Sequence, residues 1–358
     1  MKILYAIQGT GNGHLSRARD IIPYLEQSGE LDVLVSGTQA DVALSYPIKY
    51  RLKGLSFIFG KKGGVDLIAT YKKGNAKRLW KEVKTLAVED YDIIINDFEP
   101  VSAWACFLKH KPCISLSHQS AVVNSKSPKP KSIDLPGMAL LRYYAPATMY
   151  YGFHFLHYDT HIYTPVIRQQ VRELPIANKG HYTVYLPAYD DKHILKVLSQ
   201  FEDVKWQVFS KHNKAAFAQR NIRIQPISNE AFLQSMATSE GVLCGAGFET
   251  PAEALYLQKK LMVIPMKGQY EQQCNAAALK EMGVPVIKSL KNKHSDKIRG
   301  WIKSKKIISV DYPDVTKELI DHILLNHPAT VSHAVAPVTS FAKFKNVLLN
   351  KLFLKSAR

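Results

Sequence analysis

Apolar residues in the first half of the chain occur both in short continuous runs and at helical spacing. Met1–Ile7 is a largely apolar run of strand length, and Tyr91–Asn96 is typical of a strand buried on both faces of a parallel sheet. From His14 to Gln27 the apolar residues recur every three or four positions, which predicts a helix that ends at Gly29. The same criteria predict strands at Leu31–Ser36, Leu55–Phe59 and Pro112–Leu116 and helices at Ala40–Leu44, Tyr71–Val88 and Val101–Leu108.

The alternation of strand and helix patterns begins again near residue 181. Strands are predicted at Tyr182–Leu186, Lys205–Phe209, Asn221–Gln225, Gly241–Cys244 and Leu261–Ile264, and helices at Asp190–Ser199, Asn229–Met236, Glu249–Tyr256, Tyr270–Met282 and Pro313–Leu325. Such alternation predicts an α/β fold with doubly wound parallel sheets. Because 358 residues are long for one domain, we predict two. Their bounds are 1–172 and 181–325, with a linker at 173–180 and a basic segment at 326–358.

The chain is strongly basic, with 48 lysines and arginines against 30 acidic residues and a net charge of +18. Solvated helix faces, attraction to an anionic membrane surface and binding of nucleic acid are three interpretations of such a charge. The sequence has no nucleic-acid-binding motif, which disfavours nucleic acid as a partner. It has no run of 18 apolar residues, so no membrane-spanning helix is predicted. We expect a cytoplasmic protein, and the basic segments leave peripheral binding to the inner face of the membrane open.

A glycine-rich loop separates the first predicted strand from the first predicted helix. It comprises Gly9, Thr10, Gly11, Asn12 and Gly13 and is followed by His14. At the carboxyl end of a parallel strand such a loop lets the backbone approach a ligand, so we expect contact with an acceptor or a phosphate. A dinucleotide site is disfavoured because the second strand ends without an acidic residue. His14 is a candidate general base if its neutral ring faces a cleft, and a purely local hydrogen-bonding role is the alternative.

Polar side chains follow two further strands predicted in the first half. Asp97 and Glu99 come after one of them, and His118 comes after the other. Because the carboxyl ends of parallel strands meet at one edge of a sheet, we expect all three near the glycine loop. Asp97 is predicted to orient His14 or to contact acceptor hydroxyls, while Glu99 and His118 are predicted to line the acceptor or phosphate site. Capping of the helix that begins at Pro100 is the alternative for the carboxylates, and a structural role is the alternative for His118.

The third candidate site lies between Gly245 and Asn275. Backbone and hydroxyl groups at the start of a predicted helix are expected to hold a diphosphate, and they belong to Gly245, Ala246, Gly247, Phe248 and Thr250. Glu253, one to two turns into that helix, is placed to accept hydrogen bonds from both ribose hydroxyls. Glu271 and Gln272 are expected to contact the transferred sugar, and Asn275 to brace the loop. The alternative is a polar helix start followed by an exposed polar face.

These motifs resemble those of the GT-B fold glycosyltransferases over most of residues 1–325. The hexapeptide GTGNGH at residues 9–14 is similar to the GTGxGH signature of a bacterial and archaeal group. Residues 247–253 fit the pattern G-x-x-[ST]-x-x-E, and EQQCN at 271–275 fits the second motif. Both patterns resemble the GlcNAc transferase of peptidoglycan lipid-intermediate synthesis and the UDP-glycosyltransferases. Gly245 stands where these families often have His or Ser.

The resemblance implies two Rossmann-like α/β domains whose parallel sheets face a central cleft. The N-terminal domain would bind the acceptor and the C-terminal domain the nucleotide sugar, with the basic segment at 326–358 packed back on the N-terminal domain. It implies an inverting transferase that moves a hexose or N-acetylhexosamine, with UDP as the expected nucleotide, to an acceptor hydroxyl. His14 would act as the base, assisted by Asp97.

No DxD motif stands at the end of a predicted strand, so we expect no required metal or other cofactor besides the nucleotide sugar as co-substrate. The acceptor is open, although the Tyr-rich and basic segments favour a lipid-linked or membrane-proximal hydroxyl compound. Two alternatives from other classes are an enzyme similar to the UDP-GlcNAc 2-epimerases and a non-catalytic sugar-nucleotide-binding protein.

Overall fold

The computed structural model describes residues 1–37, 44–55, 76–132 and 134–327 of the chain. The strands described are β1 Lys2–Gln8, β2 Glu30–Ser36, β3 Tyr50–Leu52, β4 Ile93–Asp97, β5 Ile114–Ser117, β6 Met149–Phe153, β7 Ile162–Tyr163, β8 His181–Tyr185, β9 Lys205–Ser210, β10 Phe217–Gln219, β11 Ile222–Pro226, β12 Gly241–Gly245 and β13 Lys260–Ile264. The helices described are α1 Asn12–Ser28, α2 Ala76–Thr85, α3 Pro100–Leu108, α4 His118–Val123, α5 Leu135–Tyr143, α6 Gln169–Arg172, α7 Asp191–Leu198, α8 Asn229–Thr238, α9 Glu249–Tyr256, α10 Tyr270–Glu281, α11 Ser295–Lys303 and α12 Thr316–Asn326.

The strands up to residue 163 form one parallel sheet in the order β3-β2-β1-β4-β5-β6-β7. The chain runs outward from β1 to β3 and then restarts at β4 on the other side of β1. The carboxyl ends of β1 and β4 therefore flank a topological switch point, where ligands bind in open α/β sheets. The register sets Ile7 beside Asp97, so the loop after β1 and Asp97 share this edge.

The strands from residue 181 onward form a second sheet in the order β10-β11-β9-β8-β12-β13. All its pairs are parallel except the hairpin of β10 and β11. Its switch point lies between β8 and β12, and α9 begins a few residues after β12. The α/β class with two mostly parallel sheets, predicted from the alternation of patterns, is confirmed.

One hydrophobic core connects the two sheets. Strand β1 and helix α1 contribute side chains such as Ile7 and Ile21, and β12 and α9 belong to the same cluster. Helix α12 packs against α1 and buries Leu319, Ile320 and Ile323 there, so the last described helix returns to the N-terminal half. Nearly all of the basic segment at 326–358 lies outside the described residues, and its predicted packing stays a prediction. No helix in the described part of the chain is long and apolar enough to cross a membrane.

The prediction of a helix at Tyr71–Val88 is wrong about the residue at which the helix ends. The structure describes it from Ala76, and it ends at Thr85 because Leu86 and Val88 turn into the core and are buried. The predictions at residues 40–44 and 55–59 lie outside the described residues apart from one residue each.

Helix α11 has no counterpart among the predicted elements. It lies in a lysine-rich stretch that reads as solvated charge, and only Ile298 and Trp301 are buried on its inner face. Two buried apolar residues in a nine-residue helix are too few to produce a clear helical period in the sequence.

Candidate active site

The carboxyl edges of the two sheets meet at a cavity of about 320 Å³. Its lining includes Thr10, Gly11, Gly13, His14, Arg17, Phe98, His118 and Gln119 from the N-terminal half and Phe248, Glu249, Tyr270 and Glu271 from the C-terminal half. The glycine loop and the segment between residues 245 and 275, which the sequence treats as separate candidates, therefore face one space.

His14 lies in the first turn of α1, and its ring lines the cavity. Its Nδ1 is 2.8 Å from Oδ1 of Asp97, which ends β4 and is fully buried. Because an ionised carboxylate only accepts hydrogen bonds, Nδ1 carries the hydrogen and the lone pair of the neutral ring is on Nε2. The structure thus brings together the two side chains predicted as base and orienting partner.

Arg17 is a buried site residue that the sequence reasoning misses. Its guanidinium donates to both oxygens of Asp97, at 2.8 and 2.7 Å, and also to Glu249. Burial alone would raise the pKa of Asp97, but the charges of Arg17 and His14 outweigh burial and hold this pKa below its ordinary value. Asp97 is therefore an anion, and it can orient His14. One feature of the sequence could have indicated the burial of Arg17: it lies four positions before the apolar residue Ile21 and therefore shares a helix face with it.

Glu249 is the first residue of α9 and meets Arg17 from the opposite half of the molecule. Burial raises the pKa of its carboxyl to about 7, and Arg17 offsets only part of this effect. A Cβ added at Gly13 would lie 3.1 Å from Cγ of Glu249. The starts of α1 and α9 therefore approach so closely that a side chain at residue 13 would force a neighbour to move.

Gly245 ends β12, the turn that leads to α9 consists of Ala246, Gly247 and Phe248, and Thr250 follows in the first turn of the helix. The N-cap residue Phe248 has no side-chain oxygen, so the first N–H groups of α9 lack a side-chain cap. Such a helix end attracts anions through its N–H groups and its dipole. A Cβ at Gly247 would meet nothing within 4 Å, so there is open space beside this turn.

The start of α1 has the same character as the start of α9. Gly11 is its N-cap residue, with a φ of +99° that other residues rarely adopt, and it offers no capping side chain. Gly9 ties the loop to β2 through a hydrogen bond of 2.6 Å from its N–H to the carbonyl of Ser36. Thr10 lines the cavity and Asn12 begins the helix. Two helix N-termini without side-chain caps therefore open onto one cavity.

Glu253 is buried within α9, and both of its oxygens accept hydrogen bonds from Arg168. The donors are Nε at 2.5 Å and Nη2 at 2.9 Å, while Nη1 reaches Oδ1 of Asn229 at 2.9 Å. Each carboxylate oxygen has two acceptor positions, so this pairing leaves capacity for hydroxyl groups. Arg168, just before the predicted linker, is a second site residue without a signal in the sequence.

Glu271 and Gln119 meet across the cavity. Nε2 of Gln119 donates to Oε2 of Glu271 at 3.0 Å and lies 3.5 Å from Nε2 of His14. Oε1 of Gln119 is buried and has no partner among the described residues. Oε1 of Gln272 accepts a hydrogen bond from the N–H of Met266 at 2.9 Å instead of facing the cavity. This bond holds the loop before α10 in place.

His118 joins the two halves of the molecule. Its Nδ1 is 2.8 Å from the carbonyl of Phe153, its Nε2 is 2.8 Å from Oδ1 of Asn275, and its ring stacks on Phe248 at a centroid distance of 3.9 Å. Asn275 also donates to the carbonyl of Ala246 at 3.2 Å. Burial lowers the pKa of His118, and this effect outweighs the opposing charge of Glu271.

Glu99 does not line the cavity. It is fully buried and accepts hydrogen bonds from the N–H groups of Val101 at 2.7 Å and Ser102 at 2.6 Å and from the hydroxyl of Ser36. It is therefore the N-cap of α3, the alternative that the sequence left open for it.

Comparison with known families gives one match over most of the chain. The family model described as Glycosyl transferase family 1 matches residues 1–304. No curated protein matches the chain significantly.

Solved structures with the same architecture include MurG of Acinetobacter baumannii, at 13% identity and a TM-score of 0.56 over 90% of this chain and 99% of that one. The Arabidopsis thaliana protein UGT89C1 complexed with UDP matches at 14% identity and a TM-score of 0.55, over 98% of this chain and 99% of that one. The spinosyn forosaminyltransferase SpnP matches at 11% identity and a TM-score of 0.54, over 98% and 99%. At these identities the likeness establishes the fold, and the GT-B fold expected from the motifs is confirmed.

Proposed function

Because the chain belongs to glycosyl transferase family 1, we propose that it moves a hexose or N-acetylhexosamine from a UDP-sugar to an acceptor hydroxyl. The motifs predicted a glycosyltransferase, and the family to which the chain belongs is one of glycosyltransferases. This membership argues against the epimerase-like and the non-catalytic alternatives. The observation that carries the proposal is that the His14–Asp97 dyad and the start of α9 open onto one cavity. A base and a phosphate-binding helix end therefore face the same space.

In the proposed reaction, Nε2 of His14 removes the proton of the acceptor hydroxyl while its oxygen attacks the anomeric carbon. The bond between this carbon and the phosphate oxygen of UDP breaks, and its electron pair leaves with UDP. Attack opposite the leaving group inverts the configuration at the carbon. The anionic Asp97 stabilises the imidazolium that forms, and a positioned base of this kind contributes about 10²- to 10⁴-fold.

Residues 181–325 form the proposed donor side. The backbone of residues 245–248 and Thr250 would hold the diphosphate at the start of α9, which is supported by its missing side-chain cap. Glu253 would accept the ribose hydroxyls, and its orientation is fixed by Arg168. Glu271 would contact the sugar, and Gln272 would do so through its amide nitrogen because its oxygen is bonded to Met266, with Asn275 bracing the loop. The leaving diphosphate would be stabilised by N–H groups and the helix dipole, so the proposal includes no metal.

Residues 1–172 form the proposed acceptor side, with residues 9–13 and His118 at the cleft. We propose a lipid-linked acceptor and a peripheral position on the inner face of a membrane. The net charge of +18 supports this, as does helix α5, which lines the cavity through Leu140 and Leu141. Leu135 and Met138 on the same helix are 67% and 40% exposed, so an apolar surface lies beside the cavity.

The proposal is tested by incubating the protein with radiolabelled UDP-sugars and either a membrane lipid extract or soluble glycosides. We expect label to move into the lipid phase, with a β-linkage by NMR from an α-linked donor, and transfer by His14→Ala to be slower by about 10²- to 10⁴-fold. Retention of configuration would contradict the inverting mechanism. Release of UDP with an epimerised free sugar would contradict transfer itself.

A further inference from the structure

Glu249 is a carboxyl group in a position that suits an anion. It is the first residue of α9 and lines the cavity in which the diphosphate is proposed to bind. Its Oε1 accepts from Arg17, and its Oε2 makes no hydrogen bond with the described residues. About 22% of its side chain is exposed, so the carboxyl is accessible from the cavity.

The charges around Glu249 do not balance. Arg17 is the cation that contacts it, and the same guanidinium already donates two hydrogen bonds to Asp97. One positive charge therefore serves two carboxylates, the buried Asp97 and the half-buried Glu249, and a diphosphate would add at least two more negative charges. The other titratable groups that act on Glu249 or line its cavity are His14, Tyr5, Glu253 with its partner Arg168, His118, Asp134, Tyr270 and Glu271.

A second observation concerns a buried polar side chain that lines the cavity. Gln119 lines it, is 5% exposed and has an Oε1 without a partner among the described residues. Buried polar atoms in proteins are nearly always paired, so an unpaired one at a cavity wall points to a bound group.

From this geometry we propose that Glu249 binds one proton when a diphosphate enters the cavity and donates a hydrogen bond to it, an inference that rests on the proposed donor site. Protonation removes the carboxylate charge that would repel the phosphate, and it converts an acceptor into a donor. Arg17 is then free to neutralise Asp97 alone. The proton is available near neutral pH because burial already raises the pKa of Glu249 to about 7 in the ligand-free protein.

The sign of the pH dependence follows from linkage. Bound diphosphate raises the pKa of Glu249 further, so the ligand binds best when this group is protonated in the free protein. The contribution of Glu249 to UDP affinity should therefore be constant below about pH 7. The affinity should fall as the pH rises through 7. The fall is at most about tenfold per pH unit and levels off above the pKa of the complex.

The test is calorimetric titration of UDP into the full-length protein at pH 8, in buffers with different ionisation enthalpies. The dependence of heat on buffer gives the number of protons taken up. We expect close to one proton per UDP for the wild type and none for Glu249→Gln, whose amide keeps the shape and can donate to a phosphate. His14→Gln is the control: it should keep the uptake, because the proton goes to Glu249. The ligand's own protonation cancels in the difference between variants.

Uptake that persists in Glu249→Gln, or that disappears in His14→Gln, would overturn the inference. Buffer-independent heat with the wild type would overturn it even if the variant did not fold. If UDP does not bind, pyrophosphate is titrated instead. If proton uptake on pyrophosphate binding depends on Glu249, the inference stands while the UDP-sugar proposal fails. If neither ligand binds, both the inference and the proposal are overturned.

Discussion

At the residue scale, the site depends on a chain of hydrogen bonds that fixes one imidazole ring. Asp97 holds Nδ1 of His14 and is itself held by Arg17 through two bonds. This leaves the lone pair of the neutral ring on Nε2, which lies 3.5 Å from the amide nitrogen of Gln119. The arrangement separates the work of binding from the work of proton removal.

The first prediction therefore concerns His14→Ala. Turnover should fall by about 10²- to 10⁴-fold, because the general base is lost. The dissociation constant for UDP should change by less than about threefold, since His14 removes a proton and does not hold the donor. His212→Ala, an exposed histidine that does not line the cavity, is the matched control and should leave both values unchanged. Equal turnover by the two variants would remove His14 from the reaction.

The second prediction concerns the buried pair of Arg168 and Glu253. Arg168→Met should destabilise the protein by about 3–5 kcal/mol, because it leaves the carboxylate buried without its partner. Arg168→Met combined with Glu253→Met should be less destabilised than the sum of the two single variants, as measured by thermal unfolding in a double-mutant cycle. Additive effects would show that the pair is not coupled.

The residues of the candidate site differ in how far the sequence identifies them. His14 and Asp97 each follow a strand in a recognisable motif, so their meeting at one sheet edge could be anticipated. Arg17 and Arg168 could not, because each acts on a carboxylate at least 80 residues away in the chain. Glu99 shows the opposite case, in which a polar residue at the expected edge turns inward and caps a helix.

At the element scale, the important feature is the turn between β12 and α9. Gly247 in this turn does not pack against other groups, because an added Cβ there would lie in open space, whereas a Cβ at Gly245 would lie 3.7 Å from Oε1 of Gln272. Such a position needs glycine only if something else has to come close to the backbone.

The third prediction uses this difference. Gly247→Ala should leave the midpoint of thermal unfolding within about 2 °C but weaken UDP binding about tenfold or more, because the new methyl group occupies the space next to the phosphate. Gly300→Ala on α11, which also has open space around the added Cβ, should preserve both stability and binding. Unchanged UDP affinity in Gly247→Ala, measured by calorimetry, would place the diphosphate elsewhere.

Long apolar runs and clear helical periods were sufficient to predict most of the elements. β4 is fully buried and begins with three consecutive isoleucines, and α1 has a full stripe of buried residues. The two- and three-residue strands β7 and β10 exist only through pairing with β6 and β11, which no local pattern encodes. Elements that depend on their neighbours are thus the ones the sequence does not reveal.

At the scale of the whole molecule, the two halves are joined by contacts between distant residues. His118 of the N-terminal half stacks on Phe248 and lies within hydrogen-bonding distance of Asn275. The alternation of strands and helices predicts two sheets, but it contains no information on these contacts. A central cleft was expected only from the family resemblance, and the side chains that form it had to come from the structure.

The fourth prediction concerns the net charge of +18. If the protein binds a membrane surface, it should sediment with vesicles that contain anionic lipid at low salt and stay in solution with purely zwitterionic vesicles. Release at about 0.5 M salt is expected, because screening shortens the reach of surface charges to a few ångströms. Equal sedimentation with both kinds of vesicle would exclude an electrostatic contribution.

The most direct test of the account is the thermal unfolding midpoint of the wild type and Glu253→Ala with UDP, several UDP-sugars, GDP-mannose and NADH. A ligand present at 100 times its dissociation constant stabilises the folded state by about 2.7 kcal/mol. We predict that UDP and at least one UDP-sugar raise the midpoint of the wild type, and that the rise is lost in Glu253→Ala, which is compared with its own ligand-free midpoint. A rise with NADH alone, or no rise with any sugar nucleotide, would contradict the assignment of the cavity as a UDP-sugar site.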